Sequence, residues 1–590
     1  MHVRSGFYPR VVASALVLVP LTWVGCSSPL AKQSTDDLQR AVVDSARREL
    51  AATGDATPIE ASREAADVQF TPEQLQRLEE DGFYPPSHYG RTIPHLGPDL
   101  LDGETTLFEI SLSQAIGSAV EQNLTVASAR LEPAINAALV TEAEALFDWV
   151  FFASGSLVET DRENQVPVVG GIPVSSPGTQ SESQGFETGL RRRLTSNGTF
   201  EVSTGQTRSN LRSQGTLLFP DPAQDTFVQV DVTQPLLRNL GSEVALADVR
   251  LAENAERAAI HRLHDTLNRT VTTVEAAYWD LFLAMRVLQI SQNLLDRGIA
   301  TRDHLENRGY DTTSSQIADA RATVEERKAD VLRARDTLRQ RSDELKRLMN
   351  DPRLTVGTEV VLIPLDNPID EPLEYSLTGS LTIAFSERPE VQLSLLDIDN
   401  ASIRQRLADN AKLPILDLAF QARFEGLDEA SSEAWEETID GDFASYFVSL
   451  NFEQAIGNRQ AEAFSRRAQL ERISSVVDYR RTLQDVTLDV KTSLRAVLTN
   501  YRLIEQARAT RRAASESLRT HKAREQLDGL TPTNLDLRFR RQESLAIAEI
   551  DEVRSLLDYN TAIAEHYRSM GTSLERNQIT LDVEDIPDGR

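Results

Sequence analysis

The chain has 590 residues, with 62 Lys or Arg against 90 Asp or Glu and a formal net charge of -28. That excess of acid excludes a nucleic-acid backbone as partner, since phosphate binding needs clustered basic residues; it serves either solubility or a cation-favouring surface. The length could hold several ordinary domains, yet no stretch has the composition of a linker between domains, and a single cysteine excludes an intrachain disulfide.

At the amino terminus MHVRSGFYPR carries Arg4 and Arg10 and leads into VVASALVLVPLTWVG, an apolar run too short for a spanning helix. Residues 1–25 therefore read as a secretory signal. The run ends at Cys26, after the small residue Gly25. This resembles a bacterial lipoprotein box, in which the cysteine becomes the lipidated first residue; Trp23 departs from the usual leucine three places before it, and the alternative is plain cleavage. Residues 26–105 are polar, with Pro85, Pro86, Pro94 and Pro98, and are expected to form a tail lying along a partner surface, DDLQRAVVDSARREL being its helical candidate.

From 106 to 350 the pattern changes. FEISLSQAIGSAVEQNLTVASARL predicts an amphipathic helix with Leu112, Ile116, Ala119, Val126 and Leu131 on its apolar face and an interruption around Asn123. DWVFFASGSLV reads as a strand. GFETGLRRRL and TFEVSTGQ flank TSNG, whose Asn197-Gly198 pair is a hairpin signal. In DTFVQVDVTQPLL, Phe227, Gln229 and Asp231 alternate with Val228, Val230 and Val232, so that one face could meet lipid and the other water. Pro235 ends that strand and Gly241 opens the next helix.

No proline occurs between Gly241 and Pro352. Apolar residues at Leu267, Val271, Val274, Tyr278, Leu281, Met285 and Leu288 average 3.5 residues per step, a coiled-coil seam. A second arm repeats it at Ile317, Ala320, Val324, Val331, Leu338, Leu345 and Leu348, with Ala334, Arg327 and Arg341 in the intermediate places. Gly298 and Gly309 are read as closing the first helix and turning the chain. The expected object is a long helical hairpin.

The chain then repeats itself. A linker, 351–375, is expected beside the helices near their midpoint. SLSQAIGSAVEQNLTV at Ser111 aligns with SLTGSLTIAFSERPEV at Ser376 at a constant offset of 265, pairing Leu112 with Leu377, Ile116 with Leu381, Ala119 with Ala384 and Val126 with Val391. The second copy, 376–574, continues through LPILDLAFQARF, a Gly- and acid-rich loop, and ASYFVSLNFE, in which Tyr446, Val448, Leu450 and Phe452 share a face. After Gly457 comes a second long helix, with a seam at Leu483, Val490, Leu494, Val497, Tyr501 and Ile504. It turns at LDGLTPTNLD and returns through Leu545, Val553, Leu556, Tyr559, Ile563, Tyr567 and Met570. The order indicates an internal duplication, with four membrane strands per chain at least and six as the upper count. An acidic tail, 575–590, ends the chain.

These pieces together, LSQAIGSAVEQN, the junctions QPLLRNLG and FEQAIGNRQ, the turn LDGLTPTNLDL and the closing LDYNTAIAEHYRSMG, resemble the TolC family of outer-membrane efflux proteins over about residues 106–574. The resemblance implies a homotrimer: a shared 12-stranded-type β-barrel in outer-membrane lipid, continued by a long periplasmic α-helical barrel. Its function would be passive conduction, as the exit duct of a tripartite efflux or type I secretion system. The partners implied are a periplasmic adaptor of the membrane-fusion type and an inner-membrane RND or ABC pump, with no cofactor, no metal, no enzymatic activity and no nucleic acid. Gate and adaptor docking map onto Gly309, Thr313 and Ser314 in the first turn and onto Asp528, Gly529, Leu530 and Thr533 in the second. Capping alone is the plainer account of these residues. Glu525 and Asp528 form either an acidic ring across three chains or a pair of solvated helix-end acids. Pro235, Gly241 and Gly457 mark the joints between barrel and tunnel.

Other signals carry less. His261 and His264 are three apart on a helix, but no cysteine accompanies them and no HExxH, phosphate-binding glycine loop or GxSxG exists, so a solvated helix face accounts for them. Trp149 and Tyr446 are expected in a membrane girdle and Trp279 in a helix seam. A structural coiled-coil protein would leave the signal and strands unexplained, and an adhesin lipoprotein would leave two such hairpins unexplained.

Overall fold

A computed structural model describes residues 44–52, 59–60, 71–80, 96–97, 105–163, 168–173, 178–213, 219–308, 313–528 and 531–580. The helices in chain order are α1 (44–52), α2 (Pro72–Glu80), α3 (Leu112–Gln122), α4 (Leu124–Glu144), α5 (Ser242–Ala245), α6 (Ala247–Arg308), α7 (Ser314–Met349), α8 (Leu377–Glu387), α9 (Pro389–Asn410), α10 (Ser431–Asp440), α11 (Arg459–Asp528), α12 (Pro532–Met570) and α13 (Ser573–Arg576). The strands are β1 (Ile59–Glu60), β2 (Leu107–Ile110), β3 (Val150–Glu163), β4 (Val168–Val169), β5 (Ile172–Pro173), β6 (Gly178–Arg193), β7 (Thr199–Ser213), β8 (Ala223–Pro235), β9 (Val361–Pro364), β10 (Glu374–Tyr375), β11 (Ile415–Asp428) and β12 (Phe443–Glu453).

The interrupted helix is built the same way twice, at the offset of 265. Ser111 caps α3 with a capping box through Gln114, and Ser376 caps α8 by accepting from the Gly379 amide. Each helix then breaks at one extended residue. In the first copy this is Asn123, whose side-chain oxygen accepts from the amides of Thr125 and Val126 while its nitrogen donates to the Leu348 carbonyl at 2.7 Å. In the second it is Arg388, forced extended by the following Pro389. Different residue types thus solve one geometric problem.

Between the helical parts lies a six-stranded antiparallel sheet in the order β12-β11-β8-β7-β6-β3. The upper of the two expected strand counts is therefore the observed one, and it departs from the four strands per chain that a 12-stranded barrel of three copies would take. The extra pair is the β6–β7 hairpin, whose turn residue Asn197 has φ 70, a left-handed value that asparagine tolerates. The pairing of β8 with β11 joins the strands that precede α6 to those that precede α11. Among the described residues, β3 and β12 are each paired on one side only.

The long helices pack into a wall. Beside the sheet the order across it is α4, α6, α9, α11; towards the far turns it is α7, α6, α12, α11. The anticipated seams are its core: Leu267, Val271, Val274, Tyr278, Leu281 and Leu288 on α6 and Leu483, Val490, Val497, Tyr501 and Ile504 on α11 are all buried. At about 1.5 Å per residue, the 62 residues of α6 span about 93 Å and the 70 of α11 about 105 Å.

Five expectations are corrected. Gly298 does not close a helix; α6 runs through it to Arg308, and the glycine instead makes room for Arg327, whose Nη1 would stand 2.8 Å from a Cβ there. Arg341 is not in the seam but exposed, ion-paired to Asp280 at 3.3 Å, and Ile317 is half-buried while Gln316 takes the buried place. The acid-rich loop after β11 contains α10, which packs back on the sheet through Thr438–Thr226 and Trp435–Gln206 hydrogen bonds. Lastly, the described parts of the amino-terminal tail lie on the chain itself: Ala46 and Leu50 of α1 pack against the core cluster that includes Leu381, Val391 and Tyr479, and β1 pairs with β10.

The 351–375 segment lies against the helices as a belt. β9 runs parallel to β2. The Tyr278 hydroxyl donates to the Asp366 carboxylate at 2.8 Å and accepts from the amides of Leu365 and Asp366. Asn560 bonds both backbone groups of Ile369, and the Tyr559 hydroxyl donates to the Glu371 carbonyl at 2.9 Å.

Candidate channel wall, joints and tip

The sheet has two chemically different faces, and strand register decides which residues share them. One row reads Phe151, Leu190, Val202, Val230, Ala422, Tyr446 across all six strands. Neighbouring rows on that face add Leu157 and Phe186 from the first two strands and Val448, Leu450 and Phe452 from the last, all exposed. The opposite face carries Glu187, Arg191, Glu201, Gln229, Asp231, Gln421 and Arg423, tied by Gln421–Asp231 and Arg423–Gln229 hydrogen bonds of 3.0 Å. An apolar outer and a polar inner face are what a strand between lipid and water requires. Trp149 sits at the helix-side edge of the apolar face, edge-on to Phe200 at 6.0 Å and under the Arg192 guanidinium at 5.6 Å. Tyr446 lies on the same face, while Trp279 is buried in the helical core. Among the described residues no helix is long and apolar enough to cross a membrane.

Where sheet meets wall, the two joints are built alike. Pro235 is the last residue of β8, and Gly241 precedes the first helical turn with φ 98; Gly457 has φ 86 two residues before α11. Only glycine adopts such values without strain. Both joints fasten to one segment, the end of α9 and the start of β11. The Arg238 amide donates to the Pro414 carbonyl and the Asn239 amide to the Asn410 side chain, while Asn458 donates to the Lys412 carbonyl.

Nearer the far turns than the sheet, charged residues that sequence reasoning did not single out form a buried network. Arg508 bonds Asp370 of the belt and Glu552 of α12; Arg511 pairs with the same Glu552, and Arg297 stands 3.7 Å from Glu549. Burial pushes the Glu549 carboxyl up from its ordinary value, against the pull of Arg297 and Arg511. Partners 41 to 252 positions apart in sequence leave no local signal.

At the far turns, Thr313 caps α7 in a capping box with Gln316, and Thr531 caps α12 ahead of Pro532. Ser314 and Thr533 are exposed in the first turns of those helices. Glu525 is not a solvated helix-end acid: it is buried and accepts from Arg538 at 3.0 Å across the α11–α12 hairpin. His521 bonds the Asn534 carbonyl beside it, and Leu305, Ala320 and Leu535 make a small core that ties the two hairpins together. Cys26, Gly309, Gly529 and Leu530 lie outside the described residues; of Asp528 only the backbone, ending α11, is described.

His261 and His264 lie partly buried on α6, where desolvation holds both imidazoles below their ordinary range. Among the described residues no group of three or more His, Cys, Asp or Glu could hold a metal ion.

No protein-family model and no curated protein sequence matches the chain. Solved structures do. The open state of the MtrE outer membrane channel of Neisseria gonorrhoeae superposes with a TM-score of 0.54 at 17% identity, over 80% of this chain and 91% of that one. The CmeC outer membrane channel of Campylobacter jejuni gives 0.56 at 14%, over 89% and 100%. The outer membrane protein VceC of Vibrio cholerae gives 0.54 at 13%, over 78% and 96%. At these identities the likeness is one of fold: the chain has the fold of outer-membrane channels, the one its resemblance to the TolC family implies.

Proposed function

We propose that the chain is the outer-membrane duct of a tripartite efflux or type I secretion system, passively conducting substrate from a periplasmic adaptor and an inner-membrane RND or ABC pump to the exterior. One observation carries this: a sheet apolar on one face and polar on the other continues, through two glycine joints, into a wall of helices about 100 Å long. Neither part closes on itself. The β3 and β12 edges would leave backbone groups unpaired in lipid, where each costs several kcal/mol, so further copies must complete the barrel; three is the number the family resemblance supplies. The repeated element order is read as an internal duplication. Cys26 is the lipid anchor, and the turns around Gly309, Thr313, Ser314, Asp528, Gly529, Leu530 and Thr533 are the adaptor-docking and gating end.

Fractionation and conductance test it. Expressed in an outer-membrane-bearing host, the chain should leave the membrane only with detergent, and the purified protein should give defined ion-conducting pores in a planar bilayer. Soluble recovery without detergent, or a bilayer that stays silent, would sink the reading in favour of a structural coiled-coil protein or an adhesin.

A further inference from the structure

We propose that three copies close an 18-stranded barrel, with the β3 edge of each copy pairing antiparallel with the β12 edge of the next, so that the membrane pore is as wide as the helical tunnel below it. The inference rests on the trimeric channel reading and adds to it the identity of the closing strands and the bore. Three observations carry it.

First, the strand count is even. Six antiparallel strands in unbroken order leave two edges that run in opposite directions. Copies placed side by side therefore meet antiparallel, the sense of every other pair in the sheet, and a head-to-tail interface of this kind closes into a ring.

Second, β3 and β6 carry the same two faces as the other four strands. Phe151, Leu157, Phe186 and Leu190 fall on the apolar face, and Ser154, Ser156, Glu187 and Arg191 on the polar one. With 14 and 16 residues, both strands exceed the roughly 9 to 11 needed to cross a membrane. A hairpin standing in water would need no such division.

Third, the apolar band is tilted. Tyr446 lies level with Phe151 along the register. Yet the band extends from Phe151 to Leu157 in one direction on β3, and from Tyr446 to Phe452 in the other on β12. Its midpoint, Ser154 on β3 and Ser449 on β12, therefore slides three residues one way and three the other across five inter-strand gaps. At about 3.3 Å per residue and about 4.8 Å per gap the slide corresponds to a tilt of about 40°, inside the range of membrane barrels. With that tilt the band is horizontal on all six strands at once.

The geometry has a consequence for size. Eighteen strands at about 40° close at a diameter of about 36 Å, whereas twelve would close at about 24 Å. A wall four helices wide, taken three times at about 9 to 10 Å per helix, closes at about 34 to 38 Å. The six-stranded sheet matches the tunnel it stands on, and a four-stranded one would constrict it.

Cross-linking of the full-length protein in its membrane tests the closure. Ser154 and Ser449 lie on the polar face, each on a one-sided strand near the middle of the band. The double variant Ser154→Cys with Ser449→Cys, and its neighbour Ser156→Cys with Ser449→Cys, should give disulfide-linked trimers on a non-reducing gel from at least one pair. Each single variant should stay monomeric on that gel. If the β3–β6 hairpin lies outside the barrel, β7 becomes the edge, and Ser203→Cys with Ser449→Cys should cross-link instead; that result, or no link from any pair in protein that remains trimeric in mild detergent, overturns the proposal. Neither touches the channel reading, which fails separately if the protein is soluble.

Discussion

At the scale of single residues, His566 shows how a buried side chain sets acid stability. It lies fully buried between Ser493, at 2.9 Å from Nδ1, and Ser380, at 3.3 Å from Nε2, with Tyr375 edge-on at 4.9 Å. Burial lowers its pKa from 6.5 to about 4, so the folded ring is neutral. Above pH 6.5 both folded and unfolded chains are neutral there. Between 6.5 and about 4 only the unfolded chain takes up the proton, and stability falls by about 1.4 kcal/mol per pH unit, roughly 3 in all, with no further loss below. Thermal unfolding in detergent at pH 7.5, 5.5 and 4 should show this slope, and His566→Gln should flatten it. A slope unchanged in the variant would remove His566 as the cause. Arg327 is a second case. Its guanidinium donates to the Leu294 carbonyl and to Gln542 and lies over the Phe539 ring at 5.3 Å, all in space left by Gly298. Gly298→Val should evict it and cost about 1 to 3 kcal/mol by overpacking, read as a lower unfolding midpoint. The same change at exposed Gly357, where nothing stands within 4 Å of a Cβ, should cost far less.

Among the elements, legibility in the sequence came from period and from local chemistry. The seams from Leu267 to Leu288 and from Leu483 to Ile504 were visible because a 3.5-residue rhythm needs no knowledge of the partner. The β6–β7 hairpin announced itself through Asn197-Gly198. The helix end assigned to Gly298 failed because a glycine in a helix signals either a stop or a close approach, and only the distant Arg327 decides between them. For α10, the run SSEAWEETID is polar enough to read as loop; the little it buries, Ala434 and Thr438, rests on Gly426 and Thr226 of strands whose pattern it does not share. The buried Arg508–Glu552–Arg511 network was equally invisible, its members looking like surface i,i+4 charges. At the tip, Thr313 and Thr531 each satisfy a helix-end amide, so Thr313→Ala and Thr531→Ala should cost about 1 kcal/mol each. Hydrogen exchange should quicken over the first turns of α7 and α12 only; a loss spread along the wall would mean that these caps do more than end their helices. On the sheet, Leu450→Lys puts a charge on the apolar face at a cost of about 2 to 4 kcal/mol near the bilayer centre, while Ser449→Lys one residue away should be tolerated. Yield in the outer-membrane fraction distinguishes them, and equal yields would mean that the face does not meet lipid.

For the whole molecule, the flanks of the wall argue for its assembly as much as the sheet edges do. α4 leads directly into β3 and α11 comes directly after β12, so helix flank and strand edge coincide on each side. Both flanks carry an apolar stripe that the chain itself leaves exposed: Leu124, Leu131, Ile135 and Leu139 on α4, and Leu470, Ile473, Val477 and Leu488 on α11. Steps of three, four, seven and eleven keep each stripe on one helix face, and apolar faces of this extent are rarely left to water. If α4 of one copy covers α11 of the next, a glutamate in the stripe should weaken every interface of the ring at once. Burying one isoleucine is worth about 2 kcal/mol, so Ile135→Glu or Ile473→Glu should lower association at each contact by a factor of about 30. Native mass measurement in detergent should find the trimer shifted towards monomer, with the helical signal retained, because neither residue belongs to the chain's own core. Thr141→Lys, exposed on the same helix but two, six and ten positions from Leu139, Ile135 and Leu131 and so off the stripe, should leave the trimer in place. A trimer that survives both glutamates would mean that the stripes are covered by something other than a second copy, and the flank-to-flank arrangement would fall while the barrel closure stood on its own evidence.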